Sequence, residues 1–253
     1  GGEDVVYETE RDLLRAAGHE VQEWDVPAVA RGWSRQVAVP FEAIWSRSAA
    51  RMCRRVVAEV RPDVAHFHNT FPSMSQSVFR ACARAGVPVV VTLHNYRLAC
   101  PATTLYREGR VCESCLGRLA PWPAVAHACY RGSRVQSGVV AAMLTAHRLR
   151  GGGSRDVARY ITPTAFLRDK LGSLVPVERV VVKPNCVQPD PGARQSAGEA
   201  FVFVGRLVPE KGIRSFLSAM PELPGCEFVV VGEGPMEAVV RSAAAGISGL
   251  TYP

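Results

Sequence analysis

Several features are missing from this sequence, and each absence excludes a class of protein. No apolar run approaches the roughly 20 residues that a helix needs to cross a bilayer. No Gly-x-Gly-x-x-Gly motif follows a predicted strand, which argues against a dinucleotide-binding oxidoreductase. No Asp-x-Asp pair is present to hold a divalent metal. No secretion signal is visible, so we expect a reducing compartment in which disulfides do not form.

What is present is an ordinary globular composition with an excess of positive charge. The 253 residues are 47% hydrophobic and 21% charged, values typical of a protein with one or two packed domains. The net charge of +7 favours anionic partners such as nucleotides, phosphates, acidic lipid or nucleic acid. A solvated, Arg-rich surface would give the same charge, so charge alone does not choose among these partners.

Helix and strand patterns alternate along the chain, which predicts an α/β protein with doubly wound, parallel sheets. The apolar run Val87–Leu93 is typical of a parallel strand covered on both faces. Residues 188–198 are rich in Pro, Gly and small polar residues, so we interpret them as a linker. The predicted domains are an N-terminal, acceptor-side domain at 1–187 and a partial C-terminal domain at 199–253.

Periodicity and helix stops give the boundaries of the predicted elements. The predicted helices are 5–17, 41–60, 73–85, 134–150, 165–171, 211–220 and 235–245, and the predicted strands are 19–24, 64–68, 87–93, 159–162, 179–182, 200–204, 227–231 and 249–252. The last unit has about 55 residues, whereas a doubly wound domain usually needs about 100 to 150. We therefore expect a longer protein that is cut short inside its second domain. The chain opens on Gly1 rather than Met, so we expect the N-terminus to be cut short as well.

The segment Phe201–Gly212 combines an apolar strand, a glycine turn and two cations five residues apart. Arg206 can make bidentate contacts with phosphate oxygens, and Lys211 adds a point charge. Gly205 allows close approach of the backbone, and a helix beginning at Lys211 would present free N–H groups to an anion. The pattern predicts a phosphate site, with a strand–helix turn carrying two solvated cations as the alternative.

Four of the eight cysteines cluster in the segment 100–129. Cys100, Cys112, Cys115 and Cys129 have the spacing Cys-x11-Cys-x2-Cys-x13-Cys, which can supply a tetrahedral zinc site of four sulfurs. A loop of about 30 residues without its own structure is unusual in a compact domain unless something staples it. We predict structural zinc, while free thiols, a disulfide and an iron–sulfur cluster stay open.

The motif Gly-Arg-Leu-x-x-Glu-Lys-Gly at Gly205–Gly212, after a strand, closely resembles the signature of the retaining glycosyltransferases of family four, which have the GT-B fold. Other segments resemble that family in the same order, although Cys186 stands where the family usually has Gly. These segments are Gly1–Asp4, Ala17–Val21, Arg61–Val64 with His66 and His68, Val91–Tyr96, Pro184–Val187 and Val231–Pro235. The resemblance implies two Rossmann-like domains with parallel sheets.

The resemblance also implies a function, a hexosyltransferase type of reaction. A sugar would move from a nucleotide-diphosphate-sugar donor to a glycan, lipid-linked or small-molecule acceptor, with retention of configuration and no cofactor for the chemistry. The implied catalytic residues are His94, Arg206 and Lys211. The implied donor-binding residues are Gly1, Gly2, Gly205, Arg206, Lys211, Gly232 and Gly234. A turn or capping role is the alternative for His94, and packing is the main alternative for His66 and His68.

Two other interpretations of the sequence are open. A non-catalytic, zinc-containing nucleic-acid-binding protein would explain the charge and the cysteines, but no aromatic residues interleave a basic patch, and Gly205–Gly212 stays unexplained. A degenerate transferase-like module is also open. The family's distal pair of Glu would lie beyond Pro253, so we expect residues 1–253 alone to be inactive. We expect a cytoplasmic location, with peripheral contact at the inner face of the plasma membrane.

Overall fold

A computed structural model describes residues 2–24, 44–68, 70–71, 74–151, 155–193 and 198–253, and the described chain divides into two compact units. The first unit runs to Leu105 and continues from Cys112 to Pro189. The second unit combines Tyr106–Val111 with Asp190–Pro253. The boundary at Pro189 lies inside the segment 188–198 that the sequence predicted as a linker.

The described elements alternate as the sequence predicted. In chain order they are α1 (Gly2–Ala16), α2 (Arg47–Val60), β1 (Ala65–Phe67), α3 (Ser77–Arg84), β2 (Val89–Thr92), β3 (Tyr106–Arg107), β4 (Arg110–Val111), α4 (Pro123–Ala126), α5 (Arg134–Leu149), β5 (Arg159–Thr162), α6 (Ala165–Leu171), β6 (Val180–Val182), β7 (Ala200–Val204), α7 (Ile213–Ala219), β8 (Glu227–Val231), α8 (Glu237–Gly246) and β9 (Leu250–Thr251). Short 3-10 helices lie at Val177–Arg179, Pro209–Lys211 and Met220–Glu222. No helix of the described chain is long and apolar enough to span a membrane.

The first unit is built on a parallel sheet with the strand order β1-β2-β5-β6. Strand β2 lies in its interior, where Val91 is paired with Phe67 of β1 and with Tyr160 of β5. Val89 and Val91 are both buried, as expected of a strand covered on both faces. Parallel strands place all their carboxyl ends at one edge, and functional side chains of α/β sheets gather at that edge.

Side-chain caps explain where several helices begin. Ser46, Ser133 and Thr164 stand at the N-caps of α2, α5 and α6, and each side chain accepts a hydrogen bond from the backbone N–H three residues on. This satisfies one of the free N–H groups of the first turn. The helix predicted from residue 41 therefore begins at Arg47, and its first three predicted residues lie outside the described chain.

Two other predicted elements differ from the structure. Residues 19–24 form no strand, because their partners are side chains of α1: Arg15 donates to the Val21 carbonyl, and Glu23 pairs with Arg11 and Arg15. Helix α3 begins at Ser77 rather than at residue 73. Ser75 has a left-handed backbone (φ 53°), which a continuous right-handed helix cannot contain.

The second unit contains a parallel sheet with the order β7-β8-β9 and a separate antiparallel hairpin, β3–β4. Its core is formed by side chains from the sheet and from α7 and α8, including Ile213 and Val240. The sequence placed the whole of 100–129 in the N-terminal domain, whereas the hairpin belongs to the second unit. The two hairpin strands pair with each other, and among the described strands neither parallel sheet includes them.

Candidate functional site

Two glycine-containing loops lie together at the carboxyl ends of β7 and β8. The strands end side by side, with Val204 paired to Val231, and the Gly205 N–H then donates to the Val231 carbonyl at 3.0 Å. A Cβ on Gly232 would lie 1.9 Å from the Gly205 oxygen, and one on Gly234 would lie 2.6 Å from the Leu207 oxygen. Only glycine permits this approach, so Gly232 and Gly234 pack the two loops against each other.

The two predicted phosphate ligands stand on the first of these loops. Arg206 follows Gly205, its side chain is 75% exposed, and its ion pair is with Glu210 at 4.0 Å. Such an exposed pair contributes little, about 0 to 1 kcal/mol, so the guanidinium can exchange Glu210 for an anionic ligand. Lys211 ends the 3-10 helix Pro209–Lys211 and is exposed.

The predicted helix start at Lys211 is wrong. Gly212 has a left-handed backbone (φ 80°) that ends the 3-10 helix, and α7 begins after it at Ile213. Leu207 and Ile213 are fully buried on either side of the loop and anchor it to the core. Any anion would thus be held by the two side-chain cations and the loop backbone rather than by a helix terminus.

The first unit has its own cavity, of about 100 Å³, at the carboxyl edge of its sheet. Polar side chains line one part of it, among them Glu3, His68, His94, Asn95, Arg97 and Tyr160. Apolar side chains from the strands and from α5 line the rest. The Tyr160 hydroxyl is buried and has no hydrogen-bond partner in the described chain, and burial raises its pKa to about 12.

The histidines predicted from the sequence meet beside this cavity. His94 Nε2 lies 3.1 Å from His68 Nδ1, and the two rings are stacked with centroids 5.2 Å apart. His66 Nε2 lies 2.7 Å from Thr92 Oγ1. Burial lowers the pKa of the His94 ring, so the ring is neutral at neutral pH.

Sequence reasoning missed the two charged residues behind these histidines. Glu10 is buried on α1, with Oε1 2.5 Å from Lys183 Nζ and Oε2 3.4 Å from His68 Nε2. Lys183 directly follows β6. One signal was available: Glu10 stands four residues after Val6, on the inward face of the predicted helix, and a charged residue there usually has a partner.

We expect Glu10 to make the first unit acid-sensitive. Burial alone would raise its pKa, but hydrogen bonds from His68 and Lys183 outweigh burial and lower it from 4.5 to about 2. The carboxylate therefore contributes stability that is full above pH 4.5 and is lost as the pH falls towards 2, up to about 3 kcal/mol. Urea unfolding at pH 2–6, followed by tryptophan fluorescence, measures this loss. The fluorescence reports on the first unit, because all four Trp residues of the sequence, from Trp24 to Trp122, belong to it.

The matched variants are Glu10→Gln and Glu8→Gln, the second at an exposed position of the same helix. Below pH 4.5 the unfolding free energy of Glu10→Gln should fall less steeply than that of the wild type, and Glu8→Gln should follow the wild type. Parallel curves for the wild type and Glu10→Gln would contradict the assignment.

The four clustered cysteines all lie in the first unit. Burial raises the pKa of the Cys115 thiol, and the nearby thiols of Cys100, Cys112 and Cys129 also raise it. The group of the described chain whose possible metal-binding atoms all lie within 4.8 Å of one another is a different one, Glu10, His66 and His68. Zinc at the four cysteines therefore stays a prediction.

The loop between Cys100 and Cys129 has more structure of its own than the sequence indicated, and an Arg of α5 donates hydrogen bonds to its backbone. Arg148 donates to the backbone carbonyls of 98–99, at 2.7 and 3.3 Å, and to those of 118–119. It thereby joins the chain before Cys100 to the chain after Cys115. The hairpin β3–β4 and the short helix α4 lie within the same segment.

The comparisons with known proteins place the chain in a family. A family model described as Glycosyltransferase Family 4 matches residues 1–191. The chain belongs to glycosyltransferase family 4. This membership and the parallel sheets of both units confirm the predicted fold class, α/β with Rossmann-like units of the GT-B type.

Two solved structures show only a distant similarity to this family 4 chain, and no curated protein gives a significant match. The first is a mutant of S. aureus TarM in complex with fondaparinux, α-GlcNAc-glycerol and UDP, with 10% identity and a TM-score of 0.45 over 80% of this chain and 36% of that one. The second is UDP-N-acetylglucosamine 2-epimerase from Rickettsia bellii, with 10% identity and a TM-score of 0.34 over 81% of this chain and 49% of that one. The chain spans less than half of either protein, and the likeness is too low to assign a function.

The structure groups the predicted site residues of this family 4 chain by unit. Gly205, Arg206, Lys211, Gly232 and Gly234 lie together in the second unit, whereas His94 belongs to the first. Gly2 is the exposed first residue of α1, and a Cβ there would meet nothing, so the predicted glycine loop is instead the first helical turn. Gly1 lies outside the described residues.

Proposed function

We propose that this protein transfers a sugar from a nucleoside-diphosphate sugar to a glycan, lipid-linked or small-molecule acceptor, with retention of the anomeric configuration. The observation that carries the proposal is the pair of exposed cations, Arg206 and Lys211, on the glycine loop at the carboxyl end of β7. Ligands of open α/β sheets bind beyond the carboxyl ends of the strands. Family membership supports the same class of reaction.

The chemistry follows from charge. Breaking the bond between the sugar and the diphosphate develops negative charge on the leaving group, and fixed positive groups stabilise it. Arg206 offers a planar fork that fits phosphate oxygens, and Lys211 offers a compact point charge. In this scheme the two side chains supply the positive charge that the leaving diphosphate requires.

His94 is the proposed polar contact for the sugar or the acceptor. Its ring is neutral and lines the cavity of the first unit, so it can exchange a hydrogen bond with a hydroxyl group. The apolar part of the cavity wall favours an acceptor with an apolar portion, as in a lipid-linked sugar. Peripheral association with the inner face of the plasma membrane stays a prediction from the net charge of +7.

A panel of UDP-, GDP- and ADP-sugars tests the proposal directly with the full-length protein. We expect one donor class to release its nucleoside diphosphate only when a sugar acceptor is present, and the product's anomeric NMR coupling to match the donor's configuration. An inverted product would contradict retention. Failure of every nucleoside diphosphate to bind the protein would contradict the donor site itself.

A further inference from the structure

Three side chains of the first unit form a continuous row that ends at the cavity. Glu10 comes from α1, His68 directly follows β1, and His94 follows β2. Glu10 Oε2 lies 3.4 Å from His68 Nε2, and His68 Nδ1 lies 3.1 Å from His94 Nε2. Each nitrogen of His68 thus faces one neighbour, so the two contacts of this ring depend on each other.

At the other end of the row, Lys183 fixes the position of the Glu10 carboxylate. Lys183 Nζ lies 2.5 Å from Glu10 Oε1, which leaves Oε2 directed at His68. The side chain of Glu10 is 10% exposed, so this contact neutralises a buried carboxylate. An ionised carboxylate can only accept hydrogen bonds, and His68 Nε2 must therefore carry a proton.

The protonation of the remaining nitrogens follows from that of His68. Lys183 already balances the charge of Glu10, so the row needs no second cation and we assign His68 as the neutral imidazole. A neutral imidazole has one N–H group, so when His68 Nε2 is protonated its Nδ1 carries a lone pair. That lone pair accepts a hydrogen bond from His94 Nε2–H. His94 then keeps its own lone pair on Nδ1, which has no hydrogen-bond partner among the described residues.

The neighbours of His68 do not compete for these contacts. The ring of Tyr7 meets His68 edge-on at 5.4 Å, while its hydroxyl donates to Glu23. His66 is held through Nε2 by Thr92, and its Nδ1 is 3.9 Å from Glu10. These contacts leave the row from Glu10 to His94 uninterrupted.

We infer that Glu10 and His68 are positioning residues that hold His94 as the Nε2–H tautomer, so that its Nδ1 accepts a hydrogen bond from a substrate hydroxyl. The identity of that hydroxyl, on the sugar or the acceptor, rests on the proposed function, but the tautomer does not. The inference goes beyond the role expected of His94, because it makes this ring an acceptor and names the residues that decide it.

A metal ion held by Glu10, His66 and His68 is the competing explanation, since their ligand atoms lie within 4.8 Å of one another. Lys183 argues against it. The ammonium group already neutralises Glu10 at 2.5 Å, and a divalent ion on the same carboxylate would place two cations close together in a buried site. In the row, both carboxylate oxygens of Glu10 already have partners, Lys183 and His68, without a metal ion.

Histidine tautomers can be measured by long-range ¹H–¹⁵N NMR of protein labelled with ¹⁵N-histidine, at neutral pH and without substrate. We expect a ratio of Nε2–H to Nδ1–H at His94 above about 10, because the hydrogen bond to His68 adds to the preference of a free imidazole ring for the Nε2–H form. A dominant Nδ1–H form in the wild type would overturn the inference.

Glu10→Gln is the sharpest variant, because it keeps the shape but changes what the side chain offers. Lys183 should hold the new amide oxygen, so the amide N–H₂ faces His68, reverses both rings and lowers the His94 tautomer ratio at least about tenfold. Tyr7→Phe retains the ring against His68 and should leave the ratio unchanged. An unchanged ratio in Glu10→Gln would also overturn the inference.

Two further measurements separate the outcomes. Zn²⁺ or Mn²⁺ that binds the wild type stoichiometrically and shifts the His66 and His68 signals would replace the hydrogen-bonded row by a metal site. In full-length protein, Glu10→Gln should lower kcat/KM for sugar transfer about tenfold while Tyr7→Phe does not. If NMR shows the expected tautomer but a His94→Ala variant still transfers sugar at the wild-type rate, the positioning of His94 by Glu10 and His68 stands. In that case His94 has no part in the proposed function.

Discussion

Replacing either Arg206 or Lys211 with Ala should slow sugar transfer by the full-length protein about 100-fold or more. Each variant removes a proposed charged contact to the leaving diphosphate, and no other cation stands among the residues described on the same loop. Neither side chain is buried, so the loss should fall on catalysis and not on folding. Initial rates at saturating and limiting donor separate kcat from KM.

The variant Arg206→Lys separates the contribution of the two-pronged guanidinium hydrogen bonds from that of the positive charge. Lys keeps the positive charge but cannot make two parallel hydrogen bonds to phosphate, so we expect an intermediate loss. Arg214→Ala is the matched control, since it removes an exposed Arg from α7 close by in the sequence. Rates in Arg206→Ala and Lys211→Ala that equal those of the control would remove both residues from the donor site.

Zinc removal should have the second large effect, a local unfolding of the loop between Cys100 and Cys129. We predict one zinc per chain, bound by four thiolates, those of Cys100, Cys112, Cys115 and Cys129. Four cysteine sulfurs occupy all four positions of a tetrahedral zinc ion. No position is left for a substrate or a water molecule, so the metal would be structural. Folding and metal binding are coupled at such sites, and the loop should lose its order with the ion while the parallel sheet keeps its own apolar core.

The backbone conformation of this loop supports the expectation that an additional interaction, such as bound zinc, stabilises it. Thr103, Leu105 and Ala128 have left-handed φ angles of 70°, 49° and 49°, which cost energy for residues other than glycine. Arg148 offsets part of this cost through its hydrogen bonds to the loop carbonyls. A zinc centre would bring the four thiols together and hold the remaining turns.

Elemental analysis of reduced protein, purified without a metal-affinity tag, measures the stoichiometry. After chelation, limited proteolysis inside the loop should become at least about tenfold faster. The double variant Cys112→Ser/Cys115→Ser should lose the metal, whereas Cys186→Ser, which alters an exposed thiol outside the loop, should keep it. Zinc well below one per chain, or a loop that resists protease equally after chelation, would count against the site.

Local patterns in the sequence were sufficient for the elements that depend on neighbouring residues. Strands 159–162, 200–204 and 227–231 and helix 165–171 were predicted with the boundaries that the structure has, and these predictions are confirmed. Strand runs of apolar residues and the Thr164 cap act over a few positions, so one stretch of chain contains the whole signal. The Gly205–Lys211 motif is readable for the same reason.

The elements that failed depend on partners elsewhere in the chain. Residues 19–24 have a strand-like pattern, but a strand needs a ladder partner, and side chains of α1 occupy this segment instead. Only the folded chain decides whether such a partner exists. The start of α3 was missed because Ser75 has a left-handed backbone and its side chain accepts a hydrogen bond from the Ser46 N–H, 29 positions away in the sequence.

The contacts of Lys183, Glu10 and His68 behind His94 are visible only in the tertiary structure. Glu10 and Lys183 are 173 positions apart in sequence, and the sheet brings Lys183, His68 and His94 to one edge because parallel strands all end there. The sequence by itself determined the family and the alternation of elements, and it supplied the two cations that we propose as diphosphate ligands, since these signals are contained in short stretches of chain. Which nitrogen of His94 carries its proton is a matter of contacts between distant residues, and only the folded structure contains them.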